Sequence, residues 1–176
     1  MREAANRERI RKLMTGLGQR CADPVNVYFT GGATAVLFEW RADSIDVDLK
    51  VIPDSDAFFR AIPFLKEELD INIELACPSD FIPELPGWQD RSIFIEKAGS
   101  IGFFHYDPYS QTLAKIERGH SQDVEDVRSI FKTGLVQPDR LLQLFKSIED
   151  SLYRYPAIDP PSFRQAVEIA VRNQMF

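Results

Sequence analysis

The chain is poor in the residues that build metal centres and disulfide frameworks. Its 176 residues include two cysteines and two histidines. Cys21 and Cys77 lie far apart and match no zinc or redox spacing, so two reduced thiols are expected. His105 and His120 have no partner at metal-ligand spacing, which argues against a histidine-built centre. No run approaches the roughly 20 apolar residues of a membrane span. Arg2, Arg7, Arg9, Arg11 and Lys12 have no apolar run behind them, so no signal peptide and a cytoplasmic location are expected. Basic residues are in the minority, 21 Lys and Arg against 27 Asp and Glu, for a net charge of −6. That balance disfavours holding nucleic acid by bulk attraction, although a local basic groove is compatible with it. There is no internal repeat and no low-complexity segment.

What is present is ordinary for a globular protein: 44% apolar and 27% charged residues, with 13 Phe to dominate the interior. The length suits one domain, read as residues 1–135, with a helical extension at 136–176 packed on it. Ala4, Ala5, Ile10, Leu13, Met14 and Leu17 fall at helical spacing, and Gly16 and Gly18 read as the end of that helix. Val25 to Phe29 is a short β-rich run, and Gly31-Gly32 opens an apolar helix from Ala33 to Phe38. Ile45 to Ile52 alternates strictly, with Asp46, Asp48 and Lys50 on the polar face. Asp54 or Ser55 can cap a helix reaching about Leu69, and Ile71 to Leu75 alternates again, pairing Asn72 with Glu74 on one face. Pro78, Pro83, Pro86 and Gly87 mark a long loop. Ser92 to Glu96 and Ile101 to Tyr106 form a hairpin about Lys97 to Ser100. Helices then follow from Pro108, Gln122, Pro138 and Pro160. The fold class is α+β, a small mixed sheet flanked by helices with a helical C-terminal third.

Thr30-Gly31-Gly32 and Asp46-Val47-Asp48 carry the chemistry. Side chains two apart on a strand share a face, so Asp46 and Asp48 can converge on one divalent cation. A glycine pair opening a helix can receive phosphate. Aspartate is depleted in strands, so two in one short strand ask for a reason. Glu74, on the polar face of the next alternating strand, is the candidate third carboxylate. Nucleotidyl transfer needs this combination, because the metal neutralises the triphosphate and orients the α-phosphate for attack.

These residues resemble the signature of the nucleotidyltransferase superfamily, which includes the minimal nucleotidyltransferases, the abortive-infection toxin nucleotidyltransferases and, more distantly, polymerase β. Tyr28 to Lys50 with Ile73 to Pro83 is most similar to a bacterial family assigned to that superfamily, and the likeness runs from about Val27 to Asp126. It implies Mg2+ (or Mn2+) on Asp46 and Asp48 and an NTP whose phosphates meet Gly31 and Gly32. Many members have Gly-Ser; here Gly32 has no hydroxyl, and Thr30 or Thr34 would have to serve. The third acidic residue is commonly Asp, so Asp80 rivals Glu74. Lys115 followed by Asp123-Val124-Glu125-Asp126 resembles a pattern of the toxin branch, with Lys115 as a phosphate contact. The expected acceptor is tRNA or a protein, in a toxin of a toxin–antitoxin or phage-defence pair with a cognate antitoxin. A small-molecule adenylyltransferase and an inactive nucleotide-sensing or partner-binding module are the alternatives. Trp40-Arg41 sits at a helix end near this site, where Arg41 could touch substrate but is expected as an exposed terminal arginine.

Overall fold

The period of two in the sequence places one half of each strand inside. In β4 (Asp46–Ile52), Val47, Leu49 and Val51 are buried while Asp46, Asp48 and Lys50 stay half-exposed. The computed structural model describes residues 1–174. In chain order the remaining elements are β1 (Ala5–Asn6), α1 (Arg7–Arg20), β2 (Val25–Thr30), α2 (Gly31–Leu37), β3 (Asp43–Ser44), α3 (Asp56–Leu69), β5 (Asn72–Leu75), α4 (Trp88–Arg91), β6 (Ile93–Ala98), β7 (Ile101–His105), α5 (Pro108–Arg118), α6 (Ser121–Lys132), α7 (Pro138–Ile148) and α8 (Pro160–Gln174). Short 3-10 turns occupy Pro78–Asp80 and Glu149–Arg154. The fold is α+β, as the alternating strands and amphipathic helices indicate.

The chain divides into two compact units. The first comprises Met1–Cys77 with Ser92–Tyr106; the second comprises Pro78–Arg91 with Asp107–Phe176. Residues 107–135, which the sequence reading grouped with the sheet, thus cluster with the helical end. In the first unit five strands make a mixed sheet in the order β5-β4-β2-β7-β6, and β1 and β3 pair separately. Strand β2 is central, antiparallel to β4 and parallel to β7. A core of Ile10, Leu13, Leu17, Val27, Phe29, Leu49, Phe58, Leu65 and Phe103 joins α1 and α3 to the sheet. Ser55 caps α3 by accepting from the Phe58 N–H at 3.1 Å, one of the two caps the sequence allows.

Gly16 and Gly18 do not end the first helix; α1 continues to Arg20. Side chains there would collide, since a methyl on Gly16 would lie 2.6 Å from Leu65 Cδ2 and one on Gly18 2.7 Å from the Ala98 carbonyl oxygen. Close packing, and not helix termination, explains both residues. Ile45 also departs from its expected place: it precedes β4 and is exposed.

The second unit is helical. Leu113, Val127, Ile130, Leu141, Leu144, Phe145, Leu152, Phe163 and Val167 are buried within it, and Phe145 and Phe163 meet edge to face at 5.0 Å. Asp107 caps α5, accepting from the Tyr109 and Ser110 N–H groups, and is paired with Arg91 at 2.8 Å. Among the described residues no helix is long and apolar enough to cross a membrane.

Candidate functional site

Strand register brings the predicted residues of the first unit into one row. Thr30 of β2 is opposite Asp48 of β4, and Asp48 is opposite Glu74 of β5. Asp46 is opposite Asn72 in the neighbouring row. Opposed residues share a face, so Asp46, Asp48, Asn72 and Glu74 form a two-by-two patch on the sheet. The Asn72 amide nitrogen donates to Asp46 Oδ1 at 2.6 Å and to Glu74 Oε1 at 3.0 Å. One NH2 group thereby bridges two carboxylates.

The glycine pair adjoins this patch. Gly31 has φ +60°, and a methyl there would lie 2.9 Å from Asp48 Oδ2, so both the backbone and the carboxylate demand glycine. Gly32 is buried for a different reason. Its missing Cβ would sit 1.9 Å from Ser44 Oγ and 3.2 Å from an Arg41 guanidinium nitrogen. The hydroxyl absent from position 32 is therefore replaced in space by that of Ser44, which itself donates to the Asp46 carbonyl at 2.8 Å. Sequence reasoning did not single out Ser44; the available signal was a serine two residues ahead of the first aspartate. Gly32→Ala is expected to destabilise by about 1–3 kcal/mol through overpacking. Adding Ser44→Gly should recover part of the loss, which a double-mutant cycle of thermal unfolding measures.

Thr34 faces inward. Its hydroxyl donates to the Phe29 carbonyl at 3.3 Å and lies 3.2 Å from His105 Nδ1, committing it to the interior of the first unit. His105 is buried, with its ring stacked on Phe38 at 4.2 Å. Burial disfavours its charged form and lowers its pKa from 6.5 to about 4. The unfolded chain therefore takes up a proton that the folded chain refuses. Stability tied to His105 is complete above pH 6.5 and is lost as pH falls toward 4. Between pH 6.5 and 5 the loss is expected to be about 2 kcal/mol. Urea unfolding of the native chain and of His105→Gln across that range should show a shallower loss of stability in the variant.

Lys115, Asp126 and Asp80 belong to the second unit. The Lys115 ammonium is buried, 2.6 Å from Asp126 Oδ2 and 3.7 Å from Asp123 Oδ1. Arg118 grips Asp123 with two bonds, at 2.8 and 2.6 Å. Burial alone would raise the Asp123 pKa. The Arg118 hydrogen bonds, the charges of Arg118 and Lys115 and the His120 N–H outweigh it and hold the carboxyl below its ordinary value. The positive charge of Lys115 is thus balanced inside an α5–α6 ion network. Asp80 is exposed at the end of a 3-10 turn.

Among the described residues, no group of three or more His, Cys, Asp or Glu side chains is arranged to hold a metal ion. Asp46 and Asp48 nevertheless fit magnesium of the kind that keeps several waters and binds through one or two carboxylates plus substrate phosphates. A complete protein cage is not what that chemistry requires. No family model matches the chain, and no match to it occurs among the curated proteins or the solved structures compared with it.

Proposed function

We propose that the chain is a nucleotidyltransferase that moves an NMP unit from an NTP to an acceptor, with release of pyrophosphate. The carrying observation is the apposition of Gly31 and Asp48, whose Oδ2 would lie 2.9 Å from a Cβ at position 31. It sets an acidic pair against a backbone turn that a phosphate can approach closely.

Asp46 and Asp48 would hold Mg2+ (or Mn2+), which would neutralise the triphosphate and orient the α-phosphate. Glu74, exposed at the row's edge, would accept the acceptor's proton through one carboxylate oxygen while Asn72 restrains the other. Arg41 reaches the start of α2 beside Gly32 and would supply a cation there for phosphate. In this reading Lys115 supports the second unit and touches no nucleotide. The acceptor class remains tRNA or a protein, with an antitoxin as partner if the chain is a toxin.

Incubation with each α-labelled NTP, Mg2+ and pools of tRNA, protein and small alcohols tests the reading. Label transfer that disappears in Asp46→Asn with Asp48→Asn supports it; transfer that survives unchanged refutes it. A nucleotide-binding module without catalysis is the second reading, favoured by the lack of a three-carboxylate cluster among the described residues. NTP binding with no transfer to any pool would select it.

A further inference from the structure

The same sheet face continues past the carboxylates into an aromatic row. Tyr28 of β2 is opposite Phe104 of β7, and Phe104 is opposite Phe94 of β6. Tyr28 and Phe104 stack at 5.2 Å, and Phe94 meets Phe104 edge to face at 5.5 Å. Phe94 closes the row on the edge strand and is 59% exposed. Beside it lies a cavity of about 440 Å³ lined by Asn26, Phe94, Lys97, Ser100, Gly102 and Phe104, among others. None of its lining residues is acidic, in a chain of net charge −6. By contrast, the 690 Å³ groove of α1 and α3 places Arg7, Arg11 and Lys12 beside Glu8 and Glu68, and its Arg7 and Lys12 are already paired with carboxylates.

We infer that this cavity is a nucleotide subsite, taking one nucleobase against Phe94 and Phe104 and its phosphate on Lys97. Ligand cavities of about 300–1,000 Å³ suit molecules of that size. A base offers a flat π-face to the exposed ring of Phe94, a contact worth having for any of the bases. The Asn26 carboxamide is exposed and hydrogen-bonded to Tyr28, and it has donor and acceptor groups in one plane, a pattern that matches the edge of a base. Its oxygen lies 2.8 Å from where a Gly102 Cβ would be, so glycine there keeps the floor of the cavity open to it. Lys97 is exposed and supplies a flexible positive charge. Asn26 lies four residues from Thr30 along β2, about 13 Å away. The subsite is thus separate from the carboxylate patch and stands whether or not that patch is catalytic. The ligand can come from two sources, a free mononucleotide or the end of a single-stranded RNA.

Calorimetry of the full chain with AMP, and fluorescence anisotropy with a labelled single-stranded hexaribonucleotide, distinguish the sources. Binding of either is expected, and Phe94→Ala should weaken it at least about tenfold. Lys97→Ala should lower the salt dependence of oligonucleotide binding by about one unit of slope. Asp46→Asn with Asp48→Asn should leave this binding intact, which separates its fate from that of the proposed reaction. Because Phe94 is exposed, its variant should fold, as circular dichroism verifies. Absence of binding by both probes at millimolar concentration overturns the inference. So does equal binding by Phe94→Ala, or a Phe94-dependent self-association in sedimentation with no nucleotide bound.

Discussion

Asp46→Asn combined with Asp48→Asn is expected to reduce nucleotidyl transfer at least roughly a thousandfold, since one preorganised electrostatic contact to a transition state is commonly worth 10²–10³. The same variant should be as stable as the native chain or slightly more so. Two like charges two residues apart on one strand face repel each other, and amide side chains of similar size remove that repulsion while Asn72 keeps a partner at position 46. Loss of activity without loss of folding is the signature to seek, with kcat and unfolding midpoint measured on one preparation. A parallel fall in both would mean that the carboxylates serve the fold.

Lys115→Met should have the largest effect on stability, about 3–5 kcal/mol, because removing one partner of a buried ion pair leaves its charge uncompensated. Asp126, buried with Oδ2 only 2.6 Å from the ammonium, loses its cation. Asp123 fares better, since the half-exposed Arg118 continues to hold it. A second substitution tests the cause: Lys115→Met with Asp126→Leu should recover most of the loss, because an apolar pair of similar volume carries no desolvation penalty. Urea unfolding gives both values. Transfer activity of the refolded double variant then decides whether Lys115 has any part in chemistry.

The elements that repeat in sequence were legible there. Strict alternation from Ile45 to Ile52 announced β4 and its polar face, and Asn72 and Glu74 announced β5. Local patterning carries no information about register, however. That Asp48 falls between Thr30 and Glu74 depends on how three strands slide past one another. Gly16 and Gly18 read as a helix end because a glycine that ends a helix and one that admits a neighbour look alike in local sequence. The neighbours, Leu65 and Ala98, are about 50 and 80 residues away. Ser44 precedes the aspartate pair in sequence, but its contact with Gly32 exists only in three dimensions. Lys115 stood in a suggestive spacing, yet spacing cannot say whether a lysine faces a ligand or an aspartate.

The order of the sheet strands has a bearing on synthesis. The first 77 residues contain β2, β4 and β5, whereas β7, the other neighbour of β2, spans only residues 101–105. A nascent chain that has emerged to Cys77 must therefore present β2 as an edge, with a row of backbone donors and acceptors awaiting partners. The intervening stretch 78–91 belongs to the other unit, so the sheet closes only after the chain has left it and returned. Such late, long-range pairing slows folding and prolongs exposure of an apolar edge. An uninterrupted fragment that contains one unit whole therefore also carries a segment of the other: residues 1–106 include 78–91, and a fragment starting at residue 78 includes 92–106.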